Sequence, residues 1–303
     1  MLRALALLLL AVLIWGVQPV VIKLVLAFFS IGFAAFVRSA VAALLFGIVA
    51  LLSRPPPTSA ASPSRLSRRK LALWLVIGGT GMGLGNVLWN ASLTRTTVGA
   101  SSVLQISGNA VIALYGILIL HERCNALRAA GLVASLGGMF IVSWNGQGLA
   151  ALAASQYFQG NMLAIASGVA WGLCAVAQKV SVPGRSSVSV VAPIFAISAL
   201  ASGGAALSGP VLAADFNTAA LVALVLTGLL GMGLGNVLFT ESMRTVTASV
   251  GAASLAACPL LSLVCATLLL HEPATAYLLV GAPLTCAGVA AAILSEPAPV
   301  PGR

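Results

Sequence analysis

The octapeptide GMGLGNVL at residues 81–88 recurs letter for letter at residues 231–238, an offset of 150. Eight identical residues among glycines and leucines are weak proof of duplication by themselves, so further matches in register decide the matter. At the same offset, His121-Glu122 matches His271-Glu272, Gly131 matches Gly281 and Gly138 matches Gly288. At a nearby offset of 156, Trp15-Gly16 matches Trp171-Gly172 and Lys23 matches Lys179. The sequence therefore predicts two similar halves.

The composition places both halves in a membrane. Of 303 residues, 60% are hydrophobic and 7% are charged, whereas soluble domains have about 45–50% and about 25%. Fifteen basic and five acidic side chains cannot cover a soluble globule of this length, which excludes a soluble enzyme and a disordered or fibrous protein. The five cysteines form no CxxC pair and mostly lie in apolar runs, so they indicate packing residues rather than disulfides or a metal site.

Apolar runs near the length of a bilayer predict an all-α polytopic protein with ten transmembrane helices. Their approximate bounds are 3–26, 29–52, 71–93, 97–120, 126–145, 159–181, 187–208, 216–240, 246–270 and 275–294. The basic, proline-rich segment 53–70 and the uncharged segment 146–158 are predicted to be loops. The first run resembles a secretory signal, but it continues through Val20 without a cleavage site, so we interpret it as the first span.

Lysine and arginine residues in the short loops predict the orientation. With the N-terminus inside, twelve of them fall on the cytoplasmic side, against Arg95 alone outside. The twelve are Arg3, Arg54, Arg65, Arg68, Arg69, Lys70, Arg123, Arg128, Lys179, Arg185, Arg244 and Arg303. Both termini are therefore predicted to be cytoplasmic, and the net charge of +10 reflects topology rather than nucleic-acid binding.

Five spans in each half make this an inverted repeat. The halves are predicted at 3–145 and 159–295, joined by an extracytoplasmic linker at 146–158. Because an odd number of spans separates equivalent helices, those helices must cross the membrane in opposite directions. Inverted repeats are typical of secondary transporters that work by alternating access.

The chain resembles the ten-helix EamA-type permeases of the drug/metabolite transporter superfamily. The resemblance rests on the Trp-Gly start and the following Lys of each half, on the glycine-rich third and eighth helices, and on the His-Glu pairs before the fifth and tenth helices. It implies export of small metabolites, amino acids prominent among them. It also implies a central cavity lined mainly by the first, third, fourth, sixth, eighth and ninth helices.

Uncharged polar and aromatic side chains within the spans are candidates for substrate binding. Amides both donate and accept hydrogen bonds, so converging amides predict a site for a zwitterion. The candidates are Trp15, Gln18, Asn86, Trp89, Asn90, Gln105, Asn109, Tyr115, Trp171 and Asn236. The competing interpretation is that the amides only join helices and that the tryptophans anchor at the headgroups.

Four charged residues within or beside spans are candidates for gating or structural roles. Lys23 and Lys179, near opposite faces, either extend to the interface or act as gates that attract a carboxylate. Arg38 either clamps the helices together or binds a substrate carboxylate. Glu241 is the sole acid near a predicted pathway, which leaves little support for proton coupling through a buried acid.

The two His-Glu pairs are predicted to serve structure. Glu122 and Glu272 precede the fifth and tenth helices, where a carboxylate favours the positive end of the helix dipole. His121 and His271 lie at opposite faces of the predicted bundle, so they cannot form one metal site. We expect no cofactor and no metal.

Together these features favour a transporter. The first hypothesis is an exporter of small metabolites, amino acids foremost, in the inner (plasma) membrane of a bacterial-type cell. Its expected partners are a small-molecule substrate and the bilayer, without nucleic acid, and a monomer suffices. An exporter of drugs or cationic metabolites is the alternative, although acids that would bind a cation are scarce. A membrane-embedded enzyme or a channel is remote, because clustered carboxylates and a selectivity motif are missing from the sequence.

Overall fold

A computed structural model describes residues 2–52, 66–119, 121, 124–146, 155–182, 185–242 and 248–294. Every regular element in these ranges is helical, apart from one antiparallel bridge between Phe29 and Leu212. Glu122, most of the predicted 53–70 loop and most of the predicted linker lie outside the described residues.

The described helices follow the apolar runs closely. They are α1 (Leu2–Val25), α2 (Ile31–Leu52), α3 (Arg68–Leu93), α4 (Val98–Leu104), α5 (Ser107–Leu118), α6 (Ala126–Trp144), α7 (Gln156–Ser181), α8 (Ser187–Leu207), α9 (Thr218–Leu226), a π-helical segment (Thr227–Leu234), α10 (Gly235–Ser242), α11 (Ala248–Leu269) and α12 (Ala276–Leu294).

Most of these elements are long enough to cross a membrane. Within the described residues, eight helical spans reach the necessary length and hydropathy, counting α4 with α5 as one span and α9 through α10 as another. Helices α11 and α12 contain two further apolar stretches, Ala256–Leu269 and Ala276–Ala292. The described part of the molecule is therefore helical, and the protein is a multi-pass membrane protein.

Helix α3 begins earlier than the sequence suggests. Residues 68–70 belong to the predicted loop, yet they form the first turn of α3. Ser67 explains the early start, because its side chain accepts a hydrogen bond from the backbone N–H of Lys70 and so satisfies a free donor of the first turn.

Two spans that we predict as continuous helices are interrupted. The fourth breaks between α4 and α5, where the N–H of Asn109 donates to the carbonyl of Ile106 (2.8 Å) in a tighter turn. The eighth contains the π-helical segment, in which the N–H of Gly235 donates to the carbonyl of Leu230. Such π segments are often found at functional sites. Both interruptions lie beside the cavity described below.

Equivalent helices of the two halves pack against each other in opposite directions. In the pair α6 and α12, a Cβ on Gly131 would lie 2.5 Å from the carbonyl oxygen of Gly288, and one on Gly138 would lie 2.6 Å from that of Gly281. An early glycine of one helix thus meets a late glycine of the other, which is an antiparallel crossing. Each glycine lets the backbones approach more closely than any side chain permits.

The pair α2 and α8 repeats this arrangement. Gly32, at the start of α2, packs on the backbone of Ala205 near the end of α8. Further along, the hydroxyls of Ser39 and Ser198 are 3.0 Å apart. The order of these contacts again runs antiparallel, as an inverted repeat requires.

An apolar cluster closes one face of the bundle. It includes Val20 and Ile22 near the end of α1, Leu93 at the end of α3 and Leu224 of α9, all nearly inaccessible to solvent. This cluster lies at the face where α1 ends, and it separates that face from the centre of the molecule.

Candidate functional site

A cavity of about 330 Å³ lies between the two halves. This volume is at the lower end of the range of about 300–1,000 Å³ that is typical of small-molecule sites. Its walls come from both halves: Trp15, Gln18, Pro19, Arg38, Met82, Trp89, Ser102, Gln105, Ile106, Asn109, Trp171, Phe195, Gly231, Met232, Asn236, Cys258, Pro259 and Ser262. All six spans implied by the resemblance contribute, and α2 and α8 add Arg38 and Phe195.

Most of the candidate residues converge on this cavity. Seven of the ten line it: Trp15, Gln18, Trp89, Gln105, Asn109, Trp171 and Asn236. Of the other three, Asn86 donates from Nδ2 to Ser39 Oγ (3.3 Å) and Asn90 donates from Nδ2 to the carbonyl of Ile31 (3.1 Å). Tyr115 packs edge-on against Trp74. These three do not line the cavity in the described structure.

Two equivalent aromatic pairs stand on either side of the cavity. The ring centroids of Trp15 and Phe239 are 5.5 Å apart, and those of Trp171 and Trp89 are also 5.5 Å apart. The duplication relates Trp15 to Trp171 and Phe239 to Trp89. In each pair the first tryptophan packs on a glycine of the repeated octapeptide, Gly235 and Gly85 respectively, because a Cβ there would overlap the indole.

The Trp15 side of the cavity is hydrogen-bonded to the π-helical segment. The indole Nε1 of Trp15 donates to the carbonyl of Gly231 (2.8 Å), and Nε2 of Gln18 donates to the carbonyl of Thr227 (3.3 Å). Helix distortions commonly occur where side chains from outside bond to backbone carbonyls. These two bonds join α1 to the eighth span.

The Trp171 side has donors without partners. Among the described residues, the indole Nε1 atoms of Trp89 and Trp171 and the hydroxyl of Ser102 are buried with no hydrogen-bond partner. Buried polar atoms are almost always paired in proteins, so a cluster of exceptions around one cavity requires an explanation.

Arg38 is the one charged residue among the described lining residues. Its side chain is 1% exposed, and its guanidinium lies 5.4 Å from the ring centroid of Trp89. Its NH1 donates to Asn90 Oδ1 over 3.4 Å, which is long for such a bond, and its Nε has no partner in the described structure. The positive charge is therefore poorly compensated.

Three cavity amides use their N–H groups within the protein. Gln18 donates to the carbonyl of Thr227, Gln105 to Ser167 Oγ (3.3 Å) and Asn236 to the carbonyl of Met232 (2.7 Å). No described residue donates to their side-chain oxygens. The cavity thus offers acceptors from these amides and donors from the cluster of Arg38, Trp89 and Trp171, which we call the donor cluster.

The prediction that Glu272 caps the tenth helix is wrong. Glu272 accepts from Lys23 Nζ (2.6 Å) and from the backbone N–H of Val98 (2.7 Å), so it caps α4 instead. The backbone at His271 explains why Glu272 reaches α4: the left-handed φ of 53° ends α11 and turns the chain towards α4. Lys23 also donates to the carbonyl of Thr96 (3.0 Å).

The Lys23–Glu272 pair reinforces the closed face. Along α1, Trp15 and Gln18 line the cavity, Val20 and Ile22 belong to the apolar cluster, and Lys23 follows at the rim. The Lys23 and Glu272 side chains are 31% and 12% exposed. Their contact ties the end of α1 to the segment before α12 and to the start of α4.

The remaining charged candidates lie away from the cavity lining. Lys179 is in the last turn of α7, and Glu241 is exposed near the end of α10. His121 has the same left-handed φ of 53° as His271, so the turn after the fourth span repeats the turn after the ninth. In the part of the chain that the structure describes, no group of three His, Cys, Asp or Glu side chains is arranged to hold a metal ion.

Several lining residues are absent from our sequence candidates. The most informative are Met82 with Met232, and Pro259, which the offset of 150 relates to Asn109. The duplication itself was the signal that could have identified Pro259, because a cavity position in one half implies its equivalent in the other. Phe195 carries no comparable signal, since it is one apolar residue among many on α8.

Comparison with known families and structures agrees with this architecture. The model of a family described as the EamA-like transporter family matches the chain twice, over residues 2–144 and 158–294. A solved structure titled "Crystal structure of protein" has a TM-score of 0.62 and 18% sequence identity, and the alignment covers 97% of each chain. At that identity the likeness concerns the fold alone. A search of curated proteins found no match.

Proposed function

Because the two matches cover most of its length, the chain belongs to the EamA-like transporter family, and we propose that it exports small metabolites, amino acids foremost. The coarser conclusion, a multi-pass membrane transporter, follows from the family and from the apolar helices. The observation that supports the finer proposal is the cavity between the halves, which has the volume and the mixed polar and aromatic lining of a small-molecule site.

The proposed mechanism is alternating access by two inverted five-helix repeats. The antiparallel pairs α6 with α12 and α2 with α8 support it, because they relate the halves by an approximate two-fold operation. In the described conformation the apolar cluster and the Lys23–Glu272 pair close the face where α1 ends. Transport then requires that this face open while the opposite face closes.

The proposed topology has ten spans and cytoplasmic termini in an inner membrane. The positive-inside distribution of lysine and arginine supports this orientation, in which the closed face is the extracytoplasmic one. Helices α11 and α12, with their apolar stretches, supply the ninth and tenth spans of this topology.

The alternative, an exporter of drugs or cationic metabolites, fits the cavity less well. Its described lining contains a buried arginine and no carboxylate. A cation entering the cavity would meet Arg38 without an acid to compensate for the repulsion. An electrically neutral zwitterion meets no such penalty.

Counterflow in proteoliposomes tests the proposal. Vesicles preloaded with each of the twenty L-amino acids are diluted into the corresponding radiolabelled amino acid, and we expect saturable uptake for at least one. Gln105→Ala, in the cavity lining, should reduce this uptake by tenfold or more. Gln159→Ala is the matched control, because Gln159 is exposed at the start of α7. Absence of saturable flux for all twenty would contradict amino-acid export.

A further inference from the structure

The donor cluster has the chemistry of a carboxylate site. Arg38 presents a charge with one long hydrogen bond, to Asn90, and the indoles of Trp89 and Trp171 present unpaired N–H groups. A guanidinium binds carboxylates through several N–H donors at once. Arg38 and Trp89 are 1% and 3% exposed, so water compensates them poorly in this conformation.

The contact between Arg38 and Trp89 does not compensate for the burial of the Arg38 charge. A guanidinium over an aromatic face is stabilised only modestly, whereas a buried charge without a partner is strongly destabilising. No ion pair to Arg38 is present among the described residues, and the ion pair of Glu272 is with Lys23. A structural clamp would be expected to have its own carboxylate or several carbonyl partners.

The opposite side of the cavity provides the internal comparison. At the equivalent positions, Arg38 is replaced by Ile194 and Trp89 by Phe239, while the indole N–H of Trp15 is already bonded to Gly231. The duplicated site therefore keeps its aromatic packing on both sides, but among the described residues unpaired donors are present on one side only.

The cavity also offers hydrogen-bond acceptors for the ammonium group of a zwitterion. No described residue donates a hydrogen bond to the side-chain oxygens of Gln18, Gln105 and Asn236. The hydrogen bond that each side-chain nitrogen donates fixes the orientation of its amide. Three such oxygens can receive an ammonium group, which has three donors and no acceptor.

We propose that the cavity binds an α-amino acid in one orientation, with its carboxylate on Arg38, Trp89 and Trp171 and its ammonium on the oxygens of Gln18, Gln105 and Asn236. This rests on the proposed function and adds the chemical groups that the substrate must carry. The donors belong to residues that line the cavity, so a carboxylate bound there supplies the missing partners of the donor cluster.

Thermal unfolding of the purified full chain in detergent tests the proposal. The twenty L-amino acids are first ranked by the stabilisation that they give. The strongest is then compared with its primary amide, which lacks the carboxylate charge, and with its desamino acid, which lacks the ammonium. We expect the amide and the desamino acid each to bind at least tenfold more weakly than the amino acid.

Conservative variants show which losses of affinity arise at the carboxylate of the ligand and which arise at its ammonium group. Trp89→Phe and Trp171→Phe keep an aromatic ring but remove the indole N–H groups, so they should weaken binding of the amino acid more than binding of the amide, whose uncharged oxygen accepts a weaker hydrogen bond. Arg38→Gln should have the same effect, more strongly. Gln105→Leu should weaken the amino acid and leave the desamino acid unchanged. Trp144→Phe is the control, because Trp144 packs on Tyr277 away from the cavity.

Each outcome bears on the proposal. Equal binding of the amino acid and its amide would overturn the carboxylate site, as would Trp89→Phe and Trp171→Phe variants that weaken both ligands equally, since that result indicates a purely structural role. Equal binding of the amino acid and its desamino acid would overturn the ammonium half. Ligand discrimination without counterflow would contradict transport but support the binding site, so the two failures are distinguishable.

Discussion

The two aromatic pairs beside the cavity differ, although duplication gave them the same backbone surroundings. Trp15 packs on Phe239 and its indole N–H is bonded to Gly231, whereas Trp171 packs on Trp89 and neither indole N–H has a partner in the described structure. The shared packing preserves a symmetric frame that can exchange between two conformations. The unshared donors make the cavity polar at one side, so a substrate with two different ends is held in one orientation.

The largest difference between the sides should come from the glycines of the repeated octapeptide. In Gly81→Ala the new methyl would lie 2.6 Å from the backbone oxygen of Ala170, whereas in Gly231→Ala it would meet the end of the flexible Gln18 side chain. Overpacking typically costs about 1–3 kcal/mol, and backbone yields less than a side-chain tip. We expect Gly81→Ala to lose about 3 kcal/mol of the free energy of unfolding in detergent, and Gly231→Ala about 1 kcal/mol or less. Equal losses would contradict this packing.

Removing the Lys23–Glu272 ion pair at the closed face should have the next largest effect. Glu272→Gln keeps the shape of the side chain but removes the charge that binds Lys23 and the backbone N–H of Val98. Hydrogen bonds to charged groups contribute about 1.5–3 kcal/mol, so we expect a loss near 2 kcal/mol and easier opening of this face. The measure of opening is the labelling rate of a cysteine placed at Thr97, beside the pair, which should rise several-fold. Asp215→Asn, at an exposed acid between α8 and α9, is the control, and an unchanged rate in Glu272→Gln would show that the pair does not restrain this face.

The equivalent tryptophans give a smaller difference between the two sides. Trp15→Phe removes the hydrogen bond to Gly231 together with the five-membered ring that packs on Gly235, so its loss of the free energy of unfolding should exceed that of Trp171→Phe by about 1 kcal/mol. Trp171→Phe removes the ring atoms that pack on Gly85 and a donor that has no partner among the described residues, so it should lose only what this packing contributes. Chemical unfolding in mixed micelles measures both. If Trp171→Phe were the more destabilising, its indole N–H would have a partner in the protein.

We expect the smallest effects at the two histidines whose backbone is in the left-handed conformation. His121 and His271 both have a φ of 53°, a conformation that asparagine adopts more readily than most residues. His121→Asn and His271→Asn should each change the free energy of unfolding by less than about 1 kcal/mol, in the stabilising direction and to a similar extent. A large loss at one position alone would show that this histidine has a further role.

The sequence predicts much of the frame, because the duplication is recorded in identical residues. The spans, the two halves and seven of the ten candidate lining residues follow from apolar runs, amides and tryptophans within them. The sequence does not predict which asparagine of the octapeptide reaches the cavity. Asn86 and Asn236 have identical neighbours, but one lies in regular helix and bonds Ser39, and the other follows the π-helical segment and lines the cavity.

The contacts that sequence reasoning misses are those between distant segments. Glu272 satisfies the dipole rule for a helix start, but the helix that it caps is α4, which is brought to it only by the packing of the two halves. The same holds for the π-helical segment, since the partners of its carbonyls, Trp15 and Gln18, come from the other half. Local patterns identify which groups need a partner, and tertiary packing decides which partner they find.

The most direct measurement is the nuclear magnetic resonance of the indole N–H groups. The chain has five tryptophans, so five signals can be assigned by single Trp→Phe variants. On addition of the best-binding amino acid, the signals of Trp89 and Trp171 should move downfield as they donate to the carboxylate, while that of Trp15 should shift little and those of Trp74 and Trp144 should not move. The primary amide of the same amino acid should shift the signals of Trp89 and Trp171 less, because its uncharged oxygen accepts weaker hydrogen bonds. A shift of Trp15 alone, or equal shifts with acid and amide, would contradict a carboxylate site at the donor cluster.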